Sequence, residues 1–134
     1  MFYYLNTLRA RRPMKILIID DEAMTRDTTK LLLKKEGFEA FSAENGEVGI
    51  YHALKSPPDL ILLDIMMPEI DGWHVLDKIL KDDKLKSIPV VIFTAAGYEI
   101  SDSEAKNRGA KGIIRKPFHV NNLMSTIRNL ERNK

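Results

Sequence analysis

The feature that most constrains this chain is a fivefold alternation between short apolar runs and segments with helical periodicity. Uninterrupted apolar runs are typical of parallel strands that helices cover on both faces, whereas half-exposed strands alternate apolar with polar residues. The sequence therefore predicts an α/β fold with a five-stranded parallel sheet, doubly wound as (βα)5. The predicted strands are residues 15–19, 38–43, 60–63, 90–93 and 112–115, and the predicted helices are residues 23–36, 46–55, 73–81, 99–108 and 120–131.

Residues with strong capping preferences mark several of the predicted helix ends. Gly37 and Gly109 follow the first and fourth helices, and glycine commonly terminates a helix. Asn45 precedes the second helix and belongs to the favoured N-cap residues. In the first helix, the periodicity places five residues on one side: Met24, Thr28, Leu31, Leu32 and Lys35.

Length and charge bound the domain organisation. A chain of 134 residues suffices for one domain. Residues 1–13 carry Arg9, Arg11 and Arg12 and no acid, whereas residues 14–134 hold 18 basic and 19 acidic residues. We predict a domain over residues 14–134 and an N-terminal extension over residues 1–13, flexible or non-native, with a short surface or partner contact as the alternative.

Composition also excludes several classes of function. The near-neutral domain gives no electrostatic basis for direct nucleic-acid binding. Apolar runs of four to five residues are too short to span a membrane. The chain has no cysteine, which rules out disulfides and thiolate metal sites and fits a cytoplasmic location.

Polar residues follow four of the five predicted strands. Asp20-Asp21-Glu22 follows the first strand, Asp64 the third, Thr94 the fourth and Lys116 the fifth. Because ligands of doubly wound sheets bind beyond the carboxyl ends of the strands, we expect these side chains to form one site. Crowded carboxylates repel one another, so the site needs cations. Lys116 supplies one, and Mg²⁺ suits the remainder because it takes one or two protein carboxylates and leaves room for phosphate oxygen.

Each of these residues also has an ordinary interpretation. Asp20 or Asp21 could cap the first helix, and Thr94 could be a strand hydroxyl bonded to backbone. Lys116-Pro117 could be a plain turn between strand and helix. The coincidence of all four segments at one edge of one sheet favours the functional interpretation.

Four segments resemble the signatures of response-regulator receiver domains, the CheY-like superfamily. They are Ile18-Ile19-Asp20-Asp21-Glu22, Leu62-Leu63-Asp64-Ile65-Met66-Met67-Pro68-Glu69-Ile70-Asp71-Gly72, Phe93-Thr94-Ala95 and Lys116-Pro117-Phe118. The resemblance covers residues 14–134 and implies the flavodoxin-like strand order 2-1-3-4-5.

The resemblance also implies a role for each site residue. Asp64 would be the phospho-acceptor, and Asp21, Asp64 and the backbone carbonyl of Met66 would bind Mg²⁺ or Mn²⁺ directly, with Asp20 acting through water. Lys116 would pair with Asp64 and then with a phosphoryl oxygen, and Thr94 would donate its hydroxyl to another. The Lys116-Pro117 bond would be cis.

The function implied is that of a single-domain response regulator. A sensor histidine kinase or a histidine phosphotransfer protein would supply the phosphoryl group, and the chain would not be an enzyme beyond this transfer onto itself. Phosphorylation would shift the fourth helix, fifth strand and fifth helix, the face that a downstream protein partner contacts. A homodimer through the same face is a further possibility.

Several positions depart from the family pattern. Ile113 stands where many receivers place Tyr or Phe, so we expect weaker or differently routed coupling to the output face. Met66 and Ala96 cannot orient a water well, which predicts a longer phosphoryl lifetime. His119 replaces a common Asp, and we interpret it as a surface change.

Three other functions compete with this interpretation. A receiver-fold interaction module that works without phosphorylation finds support only in Ile113. An aspartate-nucleophile phosphatase would carry Asp-x-Asp, whereas Met66 lies two residues beyond Asp64. A flavin carrier would need a phosphate-binding loop after the first strand, where this chain has acids.

Overall fold

The structure is a computed structural model that describes residues 13–68, 71–95, 99–116 and 118–132. Five parallel strands form one sheet in the order β2-β1-β3-β4-β5, which confirms the predicted fold and strand order. The strands are β1 (Lys15–Ile19), β2 (Glu39–Ala43), β3 (Leu60–Leu63), β4 (Val90–Ala95) and β5 (Gly112–Lys116). The helices are α1 (Ala23–Lys35), α2 (Gly46–Lys55), α3 (Gly72–Lys81), α4 (Asp102–Asn107) and α5 (Val120–Arg132).

The sheet separates two hydrophobic layers, because successive side chains of a strand point to opposite faces. Leu17 and Ile19 of β1 lie in a layer with residues of α2, α3 and α4, here called the first layer. Ile16 and Ile18 lie in a second layer with Leu33 of α1 and with residues of α5. Burial on both faces explains why the strands are apolar throughout.

The predicted caps occupy their expected places. The Asn45 side chain accepts a hydrogen bond from the Val48 N–H at 2.9 Å and so begins α2. Gly37 and Gly109 have φ angles of +94° and +104°, a left-handed conformation that favours glycine and terminates α1 and α4. The fourth helix is shorter than predicted, because Ser101 is extended and its hydroxyl caps the Glu104 N–H, so the helix begins at Asp102.

The side of α1 that the periodicity singled out is not the side that packs on the sheet. Met24 is 77% exposed and Leu31 is 71% exposed, while Thr29 and Leu33 are the buried residues of this helix. The sheet therefore packs against a neighbouring stripe of α1.

The domain boundary at residue 14 stays a prediction, since residues 1–12 lie outside the described residues. Of the helices within the described ranges, none has the length and apolar character needed to cross a membrane.

Candidate functional site

Four polar residues meet at the carboxyl edge of the sheet. Asp20 and Asp64 directly follow β1 and β3, while Thr94 and Lys116 lie in the last two residues of β4 and β5. Asp20, Asp64 and Thr94 are at most 3% exposed, and the Lys116 side chain is 19% exposed. Strand register brings them together, because Leu63 pairs with Ile92 and Ala95 pairs with Lys116.

Three carboxylates form a cluster at this edge. One carboxylate oxygen from each of Asp20, Asp21 and Asp64 lies within 4.8 Å of the other two. Asp21 is exposed, so the cluster opens to solvent on one side. Oxygen donors that share a partly open site match the requirements of a hard divalent cation such as Mg²⁺, which keeps several waters.

Lys116 bridges the two buried acids. Its Nζ lies 2.5 Å from Asp20 Oδ2 and 3.4 Å from Asp64 Oδ2. It also lies 5.0 Å from the centre of the Phe93 ring, which forms an edge contact with Phe118. The resemblance implies a pair between Lys116 and Asp64, and the structure adds a shorter contact with Asp20.

Burial and charge oppose each other at Asp64. The pKa of Asp64 is raised from 3.8 to about 6: burial is the main cause and the charge of Asp20 adds to it, while the Met66 N–H and Lys116 act in the opposite direction. Burial alone would lower the pKa of Lys116, but its hydrogen bond to Asp20 and the charges of both acids raise it. A divalent cation at the cluster would favour the ionised form of Asp64.

The backbone after Asp64 folds tightly around the carboxylate. Asp64 Oδ1 accepts a hydrogen bond from the Met66 N–H at 3.0 Å. Gly72 donates to the Ile65 carbonyl at 3.1 Å, and a Cβ at Gly72 would lie 2.4 Å from the Asp64 carbonyl oxygen. Only glycine fits where the loop returns to the strand end, which explains Gly72. The role of the Met66 carbonyl as a metal ligand stays a prediction.

Thr94 has an unusual environment for a buried hydroxyl. Thr94 is 0% exposed, and its Oγ1 has no hydrogen-bond partner among the residues that the structure describes. Buried hydroxyls are normally paired, so an orphaned one indicates a ligand or a second conformation. This contradicts the ordinary interpretation of Thr94 as a hydroxyl bonded to backbone.

The residues of the predicted switch are only partly described. Ile113 is half-buried and packs against the first layer. Pro117 and Ala96 lie outside the described residues, so the cis bond and the role of Ala96 are untested. His119 is exposed, as expected of a surface change.

Sequence reasoning missed Arg26. Its guanidinium Nη1 donates a hydrogen bond to the backbone carbonyl of Asp20 at 2.7 Å. The only sequence signal for this contact is a basic residue one turn into the helix that follows the three acids Asp20-Asp21-Glu22.

Comparisons with known proteins agree with the fold. The family described as "Response regulator receiver domain" matches residues 16–128. Protein PilH of Pseudomonas aeruginosa is 34% identical over 113 residues, covering 84% of this chain and 93% of that protein. A response regulator structure from Chloroflexus aurantiacus has a TM-score of 0.80 at 27% identity, covering 88% of this chain and 97% of that one. CheY4 of Vibrio cholerae has a TM-score of 0.77 at 27% identity, covering 87% and 98%.

The chain belongs to the response-regulator receiver family. Several relatives are longer than this chain. The DNA-binding dual master transcriptional regulator RpaA of Synechocystis is 34% identical over 118 residues, which span 88% of this chain and 49% of that protein. The matched region likewise spans 48% of the transcriptional regulatory protein ResD of Bacillus subtilis. The chain thus spans about half the length of these two relatives.

Proposed function

We propose that this chain is a phospho-accepting response regulator in which Asp64 takes a phosphoryl group from a phosphohistidine in a Mg²⁺-dependent reaction. The observation that carries the proposal is the shared environment of Asp64. Its buried carboxylate belongs to a three-acid cluster within 4.8 Å and also contacts Lys116 at 3.4 Å. A nucleophile, a cation site and a positive side chain are the parts that phosphoryl transfer needs.

The transfer forms one bond and breaks another. A carboxylate oxygen of Asp64 attacks phosphorus, an O–P bond forms, and the P–N bond to histidine breaks with its electron pair going to nitrogen, which then takes a proton. Bound Mg²⁺ would supply positive charge for the phosphoryl oxygens, held by Asp21, Asp64 and the Met66 carbonyl, with Asp20 through water. Because burial raises the pKa of Asp64 to about 6, most of the carboxylate is ionised at neutral pH, and bound positive charge would keep it ionised at lower pH as well.

Lys116 and Thr94 are the residues suited to stabilise the product. Lys116 already contacts Asp64, so a short movement would place Nζ on a phosphoryl oxygen. The Thr94 hydroxyl, which has no hydrogen-bond partner among the described residues, would gain one by donating to another phosphoryl oxygen. Movement at the ends of β4 and β5 would bias α4, β5 and α5 towards an active arrangement.

Partners and location follow from the same proposal. The donor would be a sensor histidine kinase or a histidine phosphotransfer protein, and a downstream protein would bind the α4-β5-α5 face. The receiver domain itself would make no direct nucleic-acid contact, even though relatives such as RpaA bear the name of DNA-binding regulators. A cytoplasmic location and a homodimer through α4-β5-α5 are parts of the proposal that need separate tests.

One residue favours an alternative function. Ile113 lacks an aromatic ring and packs into the first layer, which suits an interaction module that works without phosphorylation. The acids, Lys116 and Thr94 keep the residue types that phosphoryl transfer needs, so this alternative ranks second.

Intact-mass measurement after incubation with Mg²⁺ and phosphoramidate tests the proposal. We expect one added phosphoryl group, absent from Asp64→Asn and from wild type with excess EDTA. A folded wild type that gains no phosphoryl group with Mg²⁺ present would favour the interaction module.

A further inference from the structure

Arg26 lies next to the acidic cluster but belongs to none of the family signatures quoted above. It is a half-buried residue of α1, and its Nη1 donates to the Asp20 carbonyl oxygen at 2.7 Å. Its backbone N–H donates to the Glu22 carbonyl at 3.0 Å. One residue thus joins the first turn of α1 to the end of β1.

This contact completes the hydrogen bonding of Asp20. The Asp20 N–H donates to the Ala43 carbonyl at 3.1 Å. Its carboxylate accepts from the Glu22 N–H at 2.9 Å and from Lys116 at 2.5 Å. The carbonyl oxygen is the remaining polar atom of this buried residue, and Arg26 supplies its donor.

The same contact orients Asp21. The Asp20 carbonyl belongs to the planar peptide unit that ends at the Asp21 Cα, so holding that oxygen fixes the direction in which Asp21 leaves the strand. The ordinary cap of α1 is missing, because the Glu22 side chain accepts no capping hydrogen bond from the helix backbone. The hydrogen bond from the Arg26 side chain therefore helps to attach this turn to the end of β1.

We propose that Arg26 is a positioning residue that holds the Asp20-Asp21 turn in the geometry required to bind the divalent cation. This inference rests on the proposed function for the identity of the cation. Residues that orient metal ligands typically change metal affinity by about 10–100-fold when they are replaced. Because Arg26 bonds to backbone rather than to a carboxylate, we expect the lower end of that range.

A purely electrostatic role for Arg26 predicts the opposite result. A guanidinium near the acidic cluster repels a divalent cation, so its removal would strengthen Mg²⁺ binding. The direction of the change in affinity therefore separates positioning from charge.

The experiment compares Arg26→Met, which keeps the aliphatic stem, with Arg26→Lys, which keeps the charge. Arg128→Met removes an exposed arginine from α5 and is the matched control. Calorimetric titration with Mg²⁺ should show an affinity about tenfold weaker in Arg26→Met, less weakened in Arg26→Lys and unchanged in Arg128→Met. Unchanged or tighter binding in Arg26→Met would overturn the proposal.

A second readout needs no metal. Hydrogen exchange of the Glu22 amide, which donates to Asp20 Oδ1, should be faster in Arg26→Met than in wild type when EDTA is present. Equal exchange rates would contradict a positioning role. If circular dichroism shows that Arg26→Met is unfolded, both measurements are made on Arg26→Lys instead. A Mg²⁺ affinity and a Glu22 amide exchange rate that both equal those of wild type would then refute the proposal.

The wild type separates this inference from the proposed function. Wild type that gains a phosphoryl group while Arg26→Met binds Mg²⁺ equally well refutes the role of Arg26 alone. Wild type that neither binds Mg²⁺ nor gains a phosphoryl group refutes both.

Discussion

Replacing Asp64 by asparagine should stabilise the cation-free protein at neutral and alkaline pH. The Asp64 side chain is 4% exposed, and burial raises its pKa from 3.8 to about 6. A carboxyl with a higher pKa in the folded state binds more protons when folded. Its contribution to stability is therefore present in full at low pH and is lost as the pH rises from the unfolded value through the folded one.

The two pKa values set the size of the effect. At about 1.4 kcal/mol for each pKa unit, the change from 3.8 to about 6 corresponds to about 3 kcal/mol lost between about pH 4 and pH 7. Asparagine keeps the shape of the side chain and cannot ionise, so the variant avoids this loss. It also gives up the ionic contact with Lys116, which makes about 3 kcal/mol the upper limit of the gain.

Urea unfolding in EDTA at a series of pH values measures the effect. Trp73 is the single tryptophan and reports unfolding by fluorescence, with circular dichroism as the second probe. Asp77→Asn is the matched control, because Asp77 is an exposed acid of α3. The free energies of wild type and Asp64→Asn should diverge as the pH rises, and saturating Mg²⁺ should narrow the gap by stabilising only wild type. Parallel curves for the two proteins across the whole range would refute the reasoning.

Three further predictions concern single positions. Gly72→Ala should lower the free energy of unfolding in urea by about 3 kcal/mol, because the new Cβ would lie 2.4 Å from backbone atoms of Asp64 and Ile65. A smaller loss of stability than in Gly37→Ala would contradict this. Thr94→Val should leave the unphosphorylated protein equally stable or about 1 kcal/mol more stable, since it removes a buried hydroxyl that has no partner within the described ranges; it should also weaken beryllofluoride-induced spectral changes. Because wild type has isoleucine at position 113, beryllofluoride should cause only small NMR shifts in its α4 and β5. Wild-type shifts as large as those of Ile113→Tyr would count against that expectation.

The strands and the strand-end residues could be predicted because local pattern and topology agree there. A continuous apolar run as short as Leu60–Leu63 favours a strand buried on both faces, and the carboxyl ends of parallel strands must share an edge. The buried side of α1 could not be predicted, because apolar residues lie on more than one side of this helix. Packing of Leu33 into the second layer decided between them.

Within the site, the missing information was the direction of long side chains. Lys116 could be placed at the correct edge, but its closer approach to Asp20 than to Asp64 depends on its path over the Phe93 ring. The contact of Arg26 with a backbone carbonyl likewise depends on a rotamer, which spacing in the sequence does not reveal.

The sheet also acts as a partition between two independently variable halves of the protein. Ile92 and Phe93 are neighbours in the chain, yet Ile92 belongs to the first layer and Phe93 to the second. A change of side-chain volume in one layer is accommodated by helices that do not contact the other layer. The effects of two substitutions, one in each layer, on the free energy of unfolding should therefore be additive. Because α4 packs in the first layer and α5 in the second, the two helices of the proposed partner face can be reshaped separately.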